Sequence, residues 1–166
     1  MSTLTADPVI RRLTPADRDR VEGMTRAVAL FWDYEIPIAL EVFGDATGAN
    51  VSGVADPDYE TAGVEADGLL VGWAVWGPRP SEPSTFDLYW IVVDPAHRGH
   101  GLGTTLLDEM DRQIRGRVTR LVVETSGRAD YLPTRRFYQR RGFLQTELIP
   151  DHYAPGDDQV VYEKGY

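Results

Sequence analysis

The apolar positions of this chain switch repeatedly between a period near two and a period near four. Val9 to Leu13 is short and β-branched, and Thr14-Pro15-Ala16-Asp17 follows with an N-cap residue, a proline suited to the first helical position and an early acid. A strand running into a helix is predicted there, and Val21, Met24 and Val28 keep helical spacing despite Gly23. A second short helix is predicted from Pro37 to Phe43. From Gly44 to Asp58 the chain is rich in Gly, Asp, Ala and Pro without clear periodicity, which predicts a mobile loop over a substrate cleft. Tyr59 to Val64 and Leu69 to Trp76, joined at Asp67-Gly68, predict a β-hairpin that the proline-rich link Pro78 to Pro83 ends.

Thr85 to Val93 is an aromatic and β-branched run stopped by Asp94-Pro95, as expected of a central strand. After the glycines at 99, 101 and 103, Leu102, Leu106, Met110 and Ile114 recur four apart on one helix face, widened by Leu107. Arg120 to Glu124 then predicts a strand, Pro133 to Arg141 a helix, and Phe143 to Leu148 and Val160 to Glu163 two further strands. The order βααβββαβαββ, without internal repeats, predicts a three-layer α/β fold, a mixed sheet with helices on both faces. At 166 residues a single domain spanning 1–166 is expected.

Composition narrows the chemistry. With no cysteine, disulfides, thiolate metal sites and a protein thiol nucleophile are excluded. Three histidines, two of them in one loop, point to no metal site. Met1 to Arg12 lacks the basic segment and apolar run of a signal peptide, and no stretch has the length of a membrane span, so a cytoplasmic protein without membrane contact is expected. The formal charge of -9 makes nucleic acid a poor partner, although the arginines crowd the C-terminal half, which leaves room for a local anion site.

That anion site is expected at Arg98-Gly99-His100-Gly101-Leu102-Gly103, between a predicted strand and a predicted helix. Glycine lets a backbone approach an anion closely, and the N–H groups of a first helical turn point at it with the positive end of the dipole. The spacing G-x-G-x-G fails the dinucleotide fingerprint G-x-G-x-x-G, and no lysine completes a P-loop. A tight strand-to-helix turn without a ligand is the other reading of the glycines.

Two segments carry a resemblance. Val92-Val93-Asp94-Pro95-Ala96-His97-Arg98-Gly99-His100-Gly101-Leu102-Gly103-Thr104-Thr105-Leu106-Leu107 resembles the acetyl-CoA-binding motif of the GNAT superfamily of N-acetyltransferases, in which Arg or Gln, two residues, Gly, one residue, and Gly or Ala follow one another. Phe137-Tyr138-Gln139-Arg140-Arg141-Gly142-Phe143 resembles the second family motif. The resemblance extends over roughly residues 9 to 164 and implies a largely antiparallel sheet splayed between the strands ending at Val93 and near Glu124, with the pantetheine arm of acetyl-CoA in the gap. Backbone groups of Ile91, Val92 and Val93 then bond that arm, and Arg98, Gly99, His100, Gly101, Leu102, Gly103 and Thr104 hold the pyrophosphate.

Transfer to an amine needs a neutral nucleophile and a protonated leaving thiolate, hence a base and an acid but no covalent enzyme intermediate. The resemblance implies Tyr138 as the acid. For the base, period-two alternation places Asp87 on the strand face of Tyr89, Ile91 and Val93, with Glu124 second and a water chain third. Tyr131 stands where the family often has Asn, which leaves the contact usual there open. The acceptor, expected to be a small primary amine such as an amino acid, is assigned to Trp32, Tyr34, Glu35 and Tyr89. Rival readings are a different acyl donor, a protein or aminoacyl-tRNA acceptor, and a non-catalytic acyl-CoA sensor. Trp73 and Trp76 either cover a homodimer interface or pack in the sheet, and sheet packing is expected.

Overall fold

The predicted hairpin at Asp67-Gly68 is present, and its geometry explains its sequence. Both turn residues have positive φ, 52° and 80°, as the two-residue turn that matches strand twist requires. The computed structural model describes residues 3–166 and contains, in order, β1 (Val9–Arg11), α1 (Arg18–Ala27), α2 (Glu35–Thr47), β2 (Glu60–Ala66), β3 (Leu69–Arg79), β4 (Glu82–Val93), α3 (Leu102–Ile114), β5 (Arg120–Ser126), α4 (Leu132–Arg140), β6 (Leu144–Ala154) and β7 (Asp157–Gly165). This is the predicted order. The hydrogen-bonded strand order is β1-β2-β3-β4-β5-β7-β6, a seven-stranded mixed sheet. Its β1–β2, β2–β3, β5–β7 and β6–β7 ladders are antiparallel and its β4–β5 ladder parallel. The parallel ladder joins Thr85–Leu88 to Arg120–Val123, while β4 continues to Val93.

The chain falls into two compact units, residues up to Gly77 with Tyr89–Ile114, and Pro78–Leu88 with Arg115–Tyr166. In the first, Leu13, Val21, Met24, Ala39, Phe43, Leu70, Trp73, Val75 and Val92 form the core. Trp73 is fully buried, and its indole N–H donates to Thr25 Oγ1 at 3.2 Å, whose hydroxyl donates in turn to the Val21 carbonyl at 2.7 Å. That relay satisfies polar groups that would otherwise be costly to bury. Trp76 is fully buried as well, so both tryptophans pack in the sheet. Helix α3 comes close to β3 because Gly72 carries no Cβ: one built there would stand 3.2 Å from Leu106 Cδ1 and 2.8 Å from Val64 Cγ1.

Several boundaries differ from those expected, two of them near the N-terminal half's loops. Helix α2 does not stop at Phe43 but runs to Thr47, because the residue in left-handed conformation that ends it is Gly48 (φ 87°), its N–H bonded to the Gly44 carbonyl at 2.8 Å. The shortened loop folds about Asn50, whose side-chain oxygen accepts from the Gly53 N–H at 2.9 Å and the Ser52 hydroxyl at 2.8 Å. The supposed link Pro78 to Pro83 is mostly strand, with Pro78 and Arg79 in β3 and Glu82 and Pro83 in β4, because proline is tolerated wherever its missing N–H is not needed by a ladder.

In the second unit, the β6–β7 hairpin turns at Gly156 (φ 80°), and β7 pairs along the whole of β5. Arg120 ties three strands together through Glu82 at 2.7 Å, Glu163 at 3.0 Å and the Thr85 hydroxyl at 3.4 Å. Among the described residues no helix is long and apolar enough to cross a membrane. Nor is any group of three or more His, Cys, Asp or Glu placed to hold a metal ion.

Candidate active site

Within the first unit, β4 ends at Val93 and Asp94 caps a short 3-10 turn, Pro95–His97, its side chain accepting from the Ala96 N–H at 3.0 Å. Arg98 is extended, and Gly99 and Gly101 have φ of 85° and 70°. A side chain at either glycine meets open space, so the left-handed backbone is what calls for glycine there. Helix α3 starts at Leu102, with the Thr105 N–H bonded to the Gly101 carbonyl at 3.0 Å. The N–H groups at the start of any helix point along its axis away from the helix body, and Arg98, which is exposed, and His100, which is partly exposed, precede this one in the chain. An anion can therefore meet backbone donors, helix dipole and a guanidinium together.

The same unit holds the residues assigned to the acceptor. Trp32 and Tyr34 are exposed, at 38% and 51%. The carboxylate of Glu35 accepts from the Trp32 N–H at 2.6 Å and the Trp32 carbonyl accepts from the Glu35 N–H at 2.9 Å, so Glu35 is committed to starting α2. Tyr89 meets Tyr59 edge to face at 5.4 Å, and Trp90 meets Phe31 edge to face at 5.0 Å. The acidic neighbourhood of Tyr59 is felt in its hydroxyl, raised above the ordinary tyrosine value by burial and then by Asp45, Asp56 and Glu41.

The second unit holds the three candidate catalytic groups. Tyr138 on α4 is buried at 4% exposure, and its ring touches those of Phe143 at 5.5 Å, Phe137 at 5.6 Å and Tyr162 at 6.1 Å. Burial, with Tyr131 as the second cause, raises its hydroxyl far above the usual tyrosine value, so it stays protonated at neutral pH. Tyr131 is itself buried and lies under the Arg128 guanidinium at 5.2 Å. Arg135 donates to the Ser126 and Arg128 carbonyls, both at 2.8 Å, and so fixes the segment between β5 and α4.

Asp87 is not simply solvated. Arg79 grips both its oxygens, through Nη2 at 2.7 Å and Nε at 3.1 Å. Asp87 pairs with Val122, which puts it on the sheet face of Glu124, and Glu124 is exposed and accepts from Gln159 at 3.1 Å. On that face a cavity of about 320 Å³ is lined by Arg79, Glu124, Glu147, Gln159 and Glu163 over an apolar floor that includes Val122 and Val161. Sequence reasoning missed Arg79, because Pro78 and Pro80 disguised its strand, and missed Glu147, because a bulge after Gln145 shifts the alternation of β6.

Comparison with known proteins assigns the family. The model of the acetyltransferase (GNAT) family matches residues 25–143, well over half the chain. The chain belongs to the GNAT acetyltransferase family. A crystal structure of a GNAT-family protein from Desulfovibrio desulfuricans is 32% identical and superposes with a TM-score of 0.85 over 96% of this chain and 99% of that one. The L-2,4-diaminobutyric acid acetyltransferase of Streptomyces avermitilis is 30% identical over 111 residues, 60% of this chain and 61% of that protein. The N-alpha-acetyltransferase RimI of Mycobacterium tuberculosis is 32% identical over 101 residues, again 60% of this chain and 61% of the relative. The chain thus spans about three fifths of the length of these curated GNAT relatives.

Proposed function

We propose that this GNAT protein transfers the acetyl group of acetyl-CoA to a primary amine of a small molecule, of the amino acid class. The observation that carries the proposal is the loop from Arg98 to Thr104, where two left-handed glycines turn the chain into the N-terminus of α3. Pyrophosphate suits that cradle, and Ile91 to Val93 supply strand backbone for the pantetheine amides. The amine lone pair attacks the thioester carbon, a C–N bond forms, and the C–S bond breaks with its electrons on sulfur. Tyr138, protonated at neutral pH as tyrosines ordinarily are, gives its proton to the departing thiolate.

For the base we favour Glu124 over Asp87, since both Asp87 oxygens already accept from Arg79. Glu124 takes the proton that the ammonium must lose before its nitrogen can attack, directly or through water, and the second proton, shed as the nitrogen becomes an amide, restores the Tyr138 hydroxyl. A cationic acceptor is supported by the cavity beside it, where Glu124 and Glu147 outnumber cations once Arg79 is matched with Asp87 and Glu163 with Arg120. The names of the diaminobutyrate relatives fit an acceptor with a second amine. The RimI relative motivates including a peptide N-terminus in the test.

Calorimetric titration with acetyl-CoA, followed by thiol release with a panel of amines, is the experiment. Micromolar binding that Gly101→Glu abolishes, with thiol released only when a diamino acid or a related amine is present, is the expected outcome. Thiol release at the background rate for every amine, despite binding, would leave an acyl-CoA sensor as the better reading.

A further inference from the structure

Asp94 sits where β4 becomes the loop, and every polar group it has is used. Its N–H donates to the Val71 carbonyl at 2.8 Å, its carbonyl accepts from the His97 N–H at 2.9 Å, and its Oδ1 accepts from the Ala96 N–H at 3.0 Å. Its Oδ2 is held by the Nη2 of Arg20, and His97 Nδ1 lies 3.3 Å from the same oxygen. Arg20 comes from α1 and also donates Nε to the Leu70 carbonyl at 2.7 Å. One guanidinium therefore joins α1, β3 and the turn that launches Arg98. Beyond that turn Gly99 and Gly101 give the backbone wide freedom until α3 begins, anchored by the buried Leu102 and Leu106. The position of the loop is thus set by two ends, and the upstream end is the Asp94 turn.

We propose that Arg20, which lies outside both family motifs, is a positioning residue for coenzyme A binding: it clamps Asp94 and so fixes the upstream end of the Arg98 to Thr104 loop. This rests on the reading of that loop as the pyrophosphate site. Asp94 is only 7% exposed, so removing the guanidinium leaves a buried carboxylate without its cation, and the turn must open to rehydrate it. Backbone donors displaced by a fraction of an ångström lose their aim at the phosphates.

The same unit supplies a control. Arg11 grips Asp17 through two bonds of 2.8 Å and Glu65 through a third of 2.8 Å, and none of these residues belongs to the turn or the loop. The test compares Arg20→Met, Arg20→Lys and Arg11→Met by calorimetric titration with coenzyme A, thermal unfolding, and hydrogen exchange of the amides of residues 96 to 104. Arg20→Met is expected to raise the Kd for coenzyme A roughly tenfold and to speed exchange at Ala96 and His97, with Arg20→Lys between it and wild type. Arg11→Met is expected to lower Tm while leaving Kd within about twofold of wild type.

Wild-type Kd in Arg20→Met overturns the positioning role, and so does an equal loss of affinity in Arg11→Met, which would mark a general effect of stability. Should Arg20→Met fail to fold, Asp94→Asn keeps an acceptor for the Ala96 N–H while removing the charge that Arg20 grips. A weakened Kd in that variant supports the clamp and an unchanged one rejects it. If wild type itself does not bind coenzyme A, the cofactor reading fails and the positioning role falls with it. If wild type binds and Arg20→Met binds equally, only the positioning role falls.

Discussion

Tyr138 owes its raised hydroxyl to the burial that its aromatic neighbours also impose. Replacing it with Phe keeps the ring contacts and removes only the hydroxyl, so Tm should stay within about 2 °C of wild type while kcat falls by roughly 10²–10⁴. Steady-state rates at saturating acetyl-CoA, beside a melting curve, check this, and an unchanged kcat would assign Tyr138 to packing alone. Glu124→Gln should lower kcat/KM about tenfold or more, whereas a larger loss in Asp87→Asn would restore Asp87 as the base. Tyr138 was legible because an aromatic pair followed by Gly-Phe is a local pattern. The engagement of Asp87 was not, since the guanidinium that occupies it comes from across a hairpin whose prolines read as a linker.

At the scale of the element, the loop and helix α3 make two separate demands on glycine. Gly101 needs its left-handed φ of 70° but no extra space, so Gly101→Ala should cost about 1 kcal/mol in stability and weaken acetyl-CoA binding through a shifted first turn. Gly72 needs space: a Cβ there meets Val64 Cγ1 at 2.8 Å and the Val92 carbonyl at 3.2 Å. Gly72→Ala should therefore destabilise by about 1–3 kcal/mol, as urea unfolding would measure. Element order was readable because hydrophobic period and turn residues agree along most of the chain. Lengths were harder, since β6 extends from the expected Leu148 to Ala154 through Pro150 on an edge strand, where pairing constraints are weak.

For the molecule as a whole, the charge of -9 adds self-repulsion that the paired carboxylates partly relieve. Burial alone would raise the Asp17 carboxyl, but the Arg11 guanidinium and the Thr14 N–H outweigh it and hold it below the usual range. The same contest at Asp94 is decided downward by the Ala96 N–H and Arg20. Because both are lowered on folding, their stabilisation is complete above the unfolded value near 4 and is lost as pH falls through the lower folded values. Asp17→Asn should thus lower the urea midpoint at neutral pH and shrink the difference between about pH 6 and pH 3. An acid limb as steep as that of wild type would show that other carboxylates dominate it. The expected fold class was legible at this scale, while the cavity on the second unit was not, because it depends on which strands become neighbours.

The stacked indoles of Trp73 and Trp90, 6.3 Å apart with planes 15° from parallel, have a use beyond packing. Chromophores this close share their electronic excitations, so the first unit carries its own circular dichroism signal, visible without any label. Trp90 also touches Phe31, next to Trp32 and Tyr34, so a ligand that disturbs that aromatic segment would announce itself in the spectrum before its identity is known.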